Sequence, residues 1–224
     1  MNYKKAKKTI YKVDGMMTNY FRPFDQGAFH FAVFENDRGF INNLKQATFN
    51  MDEKDKFGNT ALHYAIYDRN FEMVKFLVEK GANLKVKNNK GNTPLHVASF
   101  LNQFEIANYL SRKNPRLILE KNNNGDTPLH ISSFAGNYAI SEMFVEKEKR
   151  AIDVQNKFGD TPWHYAMQNT TLQDACNFSD LFYSNGATLV KNKQNKTPCD
   201  ICRFSVLKES LMQIFKPNEV AYIH

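Results

Sequence analysis

The 224-residue sequence predicts an all-α fold of stacked turn–helix–helix units, and three observations carry that expectation. First, one stretch recurs: GNTPLHVA from Gly91 returns as GNTALHYA from Gly58, GDTPLHIS from Gly125 and GDTPWHYA from Gly159, with weaker relatives GAFHFA from Gly27 and NKTPCDIC from Asn195. The copies align on His30, His63, His96, His130 and His164, spaced 33, 33, 34 and 34, with Asp200 a further 36 along. A period of that length marks units that bury their apolar faces by stacking on neighbours. Second, each copy reads as a helix start, since a Thr hydroxyl caps free amides and Pro suits the first helical position. Third, Asp55, Asn88, Asn122, Asn156 and Asn192 stand three positions before Gly58, Gly91, Gly125, Gly159 and Asn195. Asx opening a turn, with Gly or Asn where φ is positive, gives a tight hairpin turn that feeds the helix.

The recurring T-P-L-H-x-A resembles the signature of the ankyrin repeat family, in four near-consensus copies across roughly residues 25–224. The resemblance implies an ankyrin-repeat solenoid with units at about 25–57, 58–90, 91–124, 125–158, 159–194 and 195–224, preceded by a basic segment, residues 1–24. It also implies protein binding through a concave groove and the turn tips, without naming a partner, because one fold hosts many.

The elements follow in order. Residues 1–24 fit no repeat cleanly, and KKAKK with Ile10, Tyr11 and Val13 reads as an extra capping helix, a disordered arm, or a localisation or surface-binding patch. The first unit keeps Ala28, Phe29, His30 and Ala32 without Thr-Pro or a glycine turn, as expected of a terminal cap. The second unit places Met73, Val74, Leu77 and Val78 on one helical stripe closed by Lys80 and Gly81. Units three and four each carry one extra residue and lack Gly-Ala after the second helix, which in unit three must end before Pro115. Unit five regains Gly186 and Ala187 with two added residues around QDACNFSD. The last unit ends in VLKESLMQIF, where Val206, Leu207, Leu211, Ile214 and Phe215 are expected to cover the final apolar face.

Composition narrows the function classes. The net charge is +7, but Lys4, Lys5, Lys7, Lys8 and Lys12 supply five of those charges before the first acid, Asp14, so the rest carries about +2. Basicity is thus mostly a tail. Three Cys give no disulfide framework, and there is neither a run of about 18 apolar residues nor a signal-peptide core. These features predict a cytoplasmic, monomeric protein whose partner is a protein, not nucleic acid or a membrane surface.

The repeat histidines are not expected to bind metal. Stacked helices lie about 8–10 Å apart, whereas two zinc-bound nitrogens must approach within roughly 4 Å. Their expected role, by resemblance, is to brace the turns. Cys199 and Cys202 form a C-x-x-C but occupy the slots of Leu95 and Ala98, which reads as small core residues. No nucleophile elbow, phosphate loop, H-E-x-x-H or dinucleotide fingerprint occurs. Neither an enzyme nor a cofactor is expected.

Four residues after each repeat His stand Phe34, Tyr67, Phe100, Phe134 and Gln168, followed by Glu35, Asp68, Leu101, Ala135 and Asn169. In ankyrin repeats the corresponding positions lie on the concave surface. The partner-binding set is therefore Phe34, Tyr67, Asp68, Phe100, Leu101, Phe134 and Gln168, joined at the turn tips by Phe57, Lys90 and Phe158, since aromatics anchor interfaces. The competing reading packs these rings between neighbouring first helices. Lys56, Lys87, Lys157, Lys193 and Lys196 add a basic edge. Lys- and Asn-rich composition further suggests a bacterial effector acting in a host cell. The alternatives are anionic-surface or nucleic-acid binding through the lysine tail, and a regulatory or inhibitory subunit of an enzyme.

Overall fold

The computed structural model describes residues 50–168 and 171–214. The chain divides into two compact units, Met1–Asn89 and Lys90–His224. His30, Phe34, the 24/25 boundary, the lysine tail, Asn169 and Phe215 lie outside the described residues.

In the first unit, α1 (Ala61–Tyr67) and α2 (Phe71–Glu79) pack together behind a turn at Asp55–Gly58. Asp55 Oδ1 accepts from the backbone N–H of Phe57 and Asn59, at 2.9 and 2.8 Å. Asn70 caps α2 by accepting from Met73 N at 3.0 Å. Gly81, at φ +97°, ends it, with Gly81 N donating to Val78 O and Ala82 N to Leu77 O. Leu62, Ile66, Met73, Val74 and Leu77 form the core, and Val78, expected on the same stripe, is half-buried.

The second unit repeats the pattern. Its first helices are α3 (Pro94–Phe100), α5 (Pro128–Phe134), α7 (Pro162–Gln168) and α9 (Pro198–Ile201). Its second helices are α4 (Phe104–Lys113), α6 (Tyr138–Lys147), α8 (Leu172–Ser184) and α10 (Ser205–Ile214). First helices stack in the order α3, α5, α7, α9, and α4, α6 and α8 stack behind them. The core between the layers holds Leu95, Leu110, Leu129, Phe144, Trp163, Phe178 and Phe182. Trp163 takes the slot that Leu95 and Leu129 fill in earlier repeats, and its ring meets Phe182 at 6.1 Å.

The missing Gly-Ala pairs have a physical replacement. After α4 the chain turns through a 3-10 helix, Pro115–Leu119, capped by Asn114, and after α6 through another, Lys149–Ala151. These short turns bury Leu117, Ile118, Ala151 and Ile152, so an apolar plug closes each repeat where glycine does elsewhere. The added residues of the fifth repeat lengthen α8 to 13 residues against 10 in α4 and α6. Gly186 then stops it at φ +82°.

One expectation is corrected at the last helix. Leu207 and Leu211 are buried, but Val206 is 73% exposed, because neighbouring helical positions diverge by about 100° and only one can face the stack. The Ile214 side chain lies outside the described residues. Cys199 and Cys202 are buried as small core residues, and burial pushes the Cys199 thiol up to about 11.

Candidate partner-binding face

The face is built from the capping residues outward. In each signature the backbone N–H of Thr donates to Nδ1 of the His three positions on: Thr93 to His96 at 3.2 Å, Thr127 to His130 at 3.1 Å and Thr161 to His164 at 3.0 Å. This is a capping box with imidazole where Glu or Gln is usual. Because Nδ1 accepts, the proton of the neutral ring is on Nε2, and it points into the next repeat. His96 Nε2–H donates to Asp126 O, His130 to Asp160 O and His164 to Lys196 O, each at 3.0 Å. At Asp200 the carboxylate keeps the first role, accepting from Thr197 N at 3.0 Å, but has no proton for the second.

The turns are laced in the same direction. Asn122, Asn156 and Asn192 each brace their own turn through Oδ1, accepting from N–H groups two and four residues on. Their Nδ2 groups reach back to Asn92, Asp126 and Asp160 at 3.0, 2.7 and 2.7 Å. Backbone bonds join the tips as well: Asn123 N to Lys90 O, Lys157 N to Asn124 O and Lys193 N to Phe158 O. A side chain at a tip is thus held on an ordered backbone.

On this frame stand the aromatic rings. Phe100 is 56% exposed at the end of α3, whose other six residues, Pro94–Ser99, are buried. Phe134, in the same position on α5, is 37% exposed and meets the Tyr165 ring edge-on at 5.7 Å. Gln168 is the exposed equivalent on α7. Leu101 is half-buried, Lys90 is exposed at its tip, and Phe158 is 56% exposed at the fifth turn. In the first unit Tyr67 is half-buried against Tyr64, with ring centroids 6.0 Å apart, and Phe57 is exposed with Lys56 Nζ 5.3 Å from its ring. Asp68 is exposed at the end of α1, yet desolvation by the atoms packed around its carboxyl pushes it up to about 6.

Phe100 thus stands mostly in the open, Phe134 leans on Tyr165 of the next first helix while keeping part of its ring exposed, and Tyr67 is half-buried. The structure also gathers Phe158 and Gln168 into one cleft of about 370 Å³ with Asp160, Asn192, Lys193, Gln194, Lys196, Asp200 and Ile201. Tyr165 was missed from sequence. It stands one residue after the repeat His, where Val97 and Ile131 stand in the preceding repeats. Its hydroxyl accepts from Asn156 Nδ2 at 3.1 Å, and burial first, then the Asp126 charge, raises its pKa. Among the described residues no group of three His, Cys, Asp or Glu could hold a metal, and no helix is long and apolar enough to cross a membrane.

Comparison with known proteins decides the family. A model for three ankyrin repeats matches residues 29–117, and a single-repeat model matches 124–157. The chain belongs to the ankyrin repeat family. Its fold is similar to the crystal structure of the ankyrin repeat protein EF0377, with a TM-score of 0.72 and 25% identity over 84% of this chain and 94% of that one. It is likewise similar to an ankyrin repeat domain from Acinetobacter baumannii AYE, with a TM-score of 0.73 and 20% identity over 83% and 96% of the two chains. No curated protein matches the sequence. Ankyrin repeats are in general protein–protein interaction modules, typically scaffolds without catalysis.

Proposed function

We propose that this ankyrin repeat protein binds a partner protein through the first-helix and turn-tip face of residues 90–214. The observation that supports this most is the exposure of Phe100 and Phe134 at equivalent positions of consecutive repeats. Burying one such ring fully is worth about 1.5–3 kcal/mol, and folding leaves part of that unused at Phe100 and a smaller part at Phe134, on two helices whose remaining residues are mostly buried. Large rings on a rigid frame give contact area at little entropic cost, which is how interface anchors work.

A photo-crosslinking residue at position 100 or 134, compared with one at Phe104 on the second-helix layer, tests the reading. Crosslinks to one partner at 100 and 134 but not at 104 support it, and equal labelling at all three sinks it. An effector role in a host cell is supported by the Lys- and Asn-rich composition alone. Absence of host-cell signal from a translocation reporter would remove it.

A further inference from the structure

We propose that the cleft between the fifth and sixth turns takes an acidic segment of a partner protein that carries an aromatic or large aliphatic side chain. The proposal rests on the protein-binding reading above and names the chemistry of the partner. Phe158 presents an exposed ring on one side, Ile201 is half-buried on the other, and Gln168 faces the same space from the end of α7. A side chain entering here meets these apolar surfaces with the Gln168 and Gln194 amides beside it.

Two lysines and two aspartates share the wall. Lys193 and Lys196 line the cleft, both exposed, and neither forms an ion pair among the described residues. Both carboxylates of the cleft are already engaged. Asp160 is buried and accepts from Asn192 Nδ2 at 2.7 Å. Asp200 accepts from Thr197 N and Oγ1 at 3.0 and 2.8 Å, with Lys208 Nζ 3.9 Å away. Lys157 and Lys191 stand exposed on the same two tips. Hydrogen bonds leave the two carboxylate charges in place, but Lys157 and Lys191 on the tips and Lys208 beside Asp200 add to the two wall lysines, so the local excess is positive, whereas α3, α5 and α7 carry no Asp, Glu, Lys or Arg at all.

Exposed lysines alone hold an anion weakly in salt, and an exposed ring alone is indifferent to charge. Together they favour a segment that brings both groups at once, carboxylates steering the encounter and an apolar side chain filling the cleft. A bare polyanion satisfies only half of this chemistry.

The test is selection of phage-displayed random peptides on the full chain, followed by fluorescence anisotropy of the most enriched synthetic peptide. Its binding is compared on wild type, Lys193→Glu/Lys196→Glu, Phe158→Ser and Phe100→Ser/Phe134→Ser, with an oligothymidylate as the polyanion control. The milder pair Lys193→Gln/Lys196→Gln stands in should charge reversal disturb folding. Enriched peptides should carry acids beside Phe, Trp or Leu. The lysine pair and Phe158→Ser should each weaken binding by about tenfold or more, and the oligonucleotide should bind at least about tenfold more weakly. No enrichment, neutral or basic winners, indifference to the lysine pair, or equal binding of the oligonucleotide overturns the proposal. Loss only in Phe100→Ser/Phe134→Ser overturns the cleft while leaving the protein-binding face standing, and indifference to every variant overturns both.

Discussion

His96 Nε2 donates to the carbonyl oxygen of Asp126, 3.0 Å away and 30 residues later, while Nδ1 of the same ring accepts from its own Thr93 N–H. One side chain thus caps a helix and ties its repeat to the next. Replacing His96 by Ala removes a cap worth about 1 kcal/mol and leaves a buried carbonyl unpaired at about 1–3 kcal/mol. The expected loss is roughly 2–4 kcal/mol, read from urea denaturation, and His96→Gln should recover part of it by restoring the acceptor. A loss below about 0.5 kcal/mol for His96→Ala would show that the bridge contributes little.

Acid should loosen the stack for the same reason. The folded repeat holds His130 neutral, and burial pushes its pKa down to about 4, with His164 lowered by burial as well. An unfolded histidine titrates near 6.5. Between those values the unfolded chain takes up a proton that the folded one refuses, so stability is full above about pH 6.5 and falls as pH drops toward 4. Denaturation at pH 7.5 and 5 should differ by about 2 kcal/mol from His130 alone. His130→Gln should flatten that slope, and an unchanged slope would assign the acid sensitivity elsewhere.

Gly91 should not tolerate a side chain. Its φ is +76°, and a Cβ there would lie 2.4 Å from the backbone nitrogen of Asn123 in the following turn. Left-handed backbone costs a non-glycine residue about 1–2 kcal/mol before any clash. Gly91→Ala is therefore expected to lose at least about 2 kcal/mol by denaturation. Gly81, also at positive φ but with nothing within 4 Å of a Cβ, should lose less on the same change.

The C-x-x-C should be silent as chemistry. Cys199 and Cys202 are buried, and the Cys199 thiol is held near 11, so little thiolate forms at neutral pH. Iodoacetamide at pH 8 should leave both unlabelled in the native protein and label both after unfolding. Rapid native labelling of Cys199 would contradict the core assignment.

What the sequence made legible is what its local spacing dictates. Thr, Pro and His at fixed offsets specify a capped helix within a few residues, so every described first helix begins where the signature places it, and Pro115 marked the end of α4 correctly. Features set at long range were not legible. The cleft depends on Asn192 reaching Asp160, 32 residues back, and the exposure of Val206 depends on which side of α10 meets the stack. Added residues around QDACNFSD were countable, but only the continued hydrogen bonding of α8 turns them into helix. The rings presented two readings because the same spacing serves a groove and a core; Phe100 is mostly exposed, whereas Phe134 shares both characters, part of its ring open and part against Tyr165.

The most direct test of the binding face is affinity capture from cell lysate with wild type and with Phe100→Ser/Phe134→Ser, after circular dichroism and urea denaturation of both. Phe100→Ser alone should shift stability by about 0.5 kcal/mol, Phe134→Ser by more because it loses the edge contact with Tyr165, and a partner retained by wild type should be lost by the folded double variant. A folded variant that captures the same partner as well as wild type would contradict the account, and a variant that unfolds would show the two rings to be core.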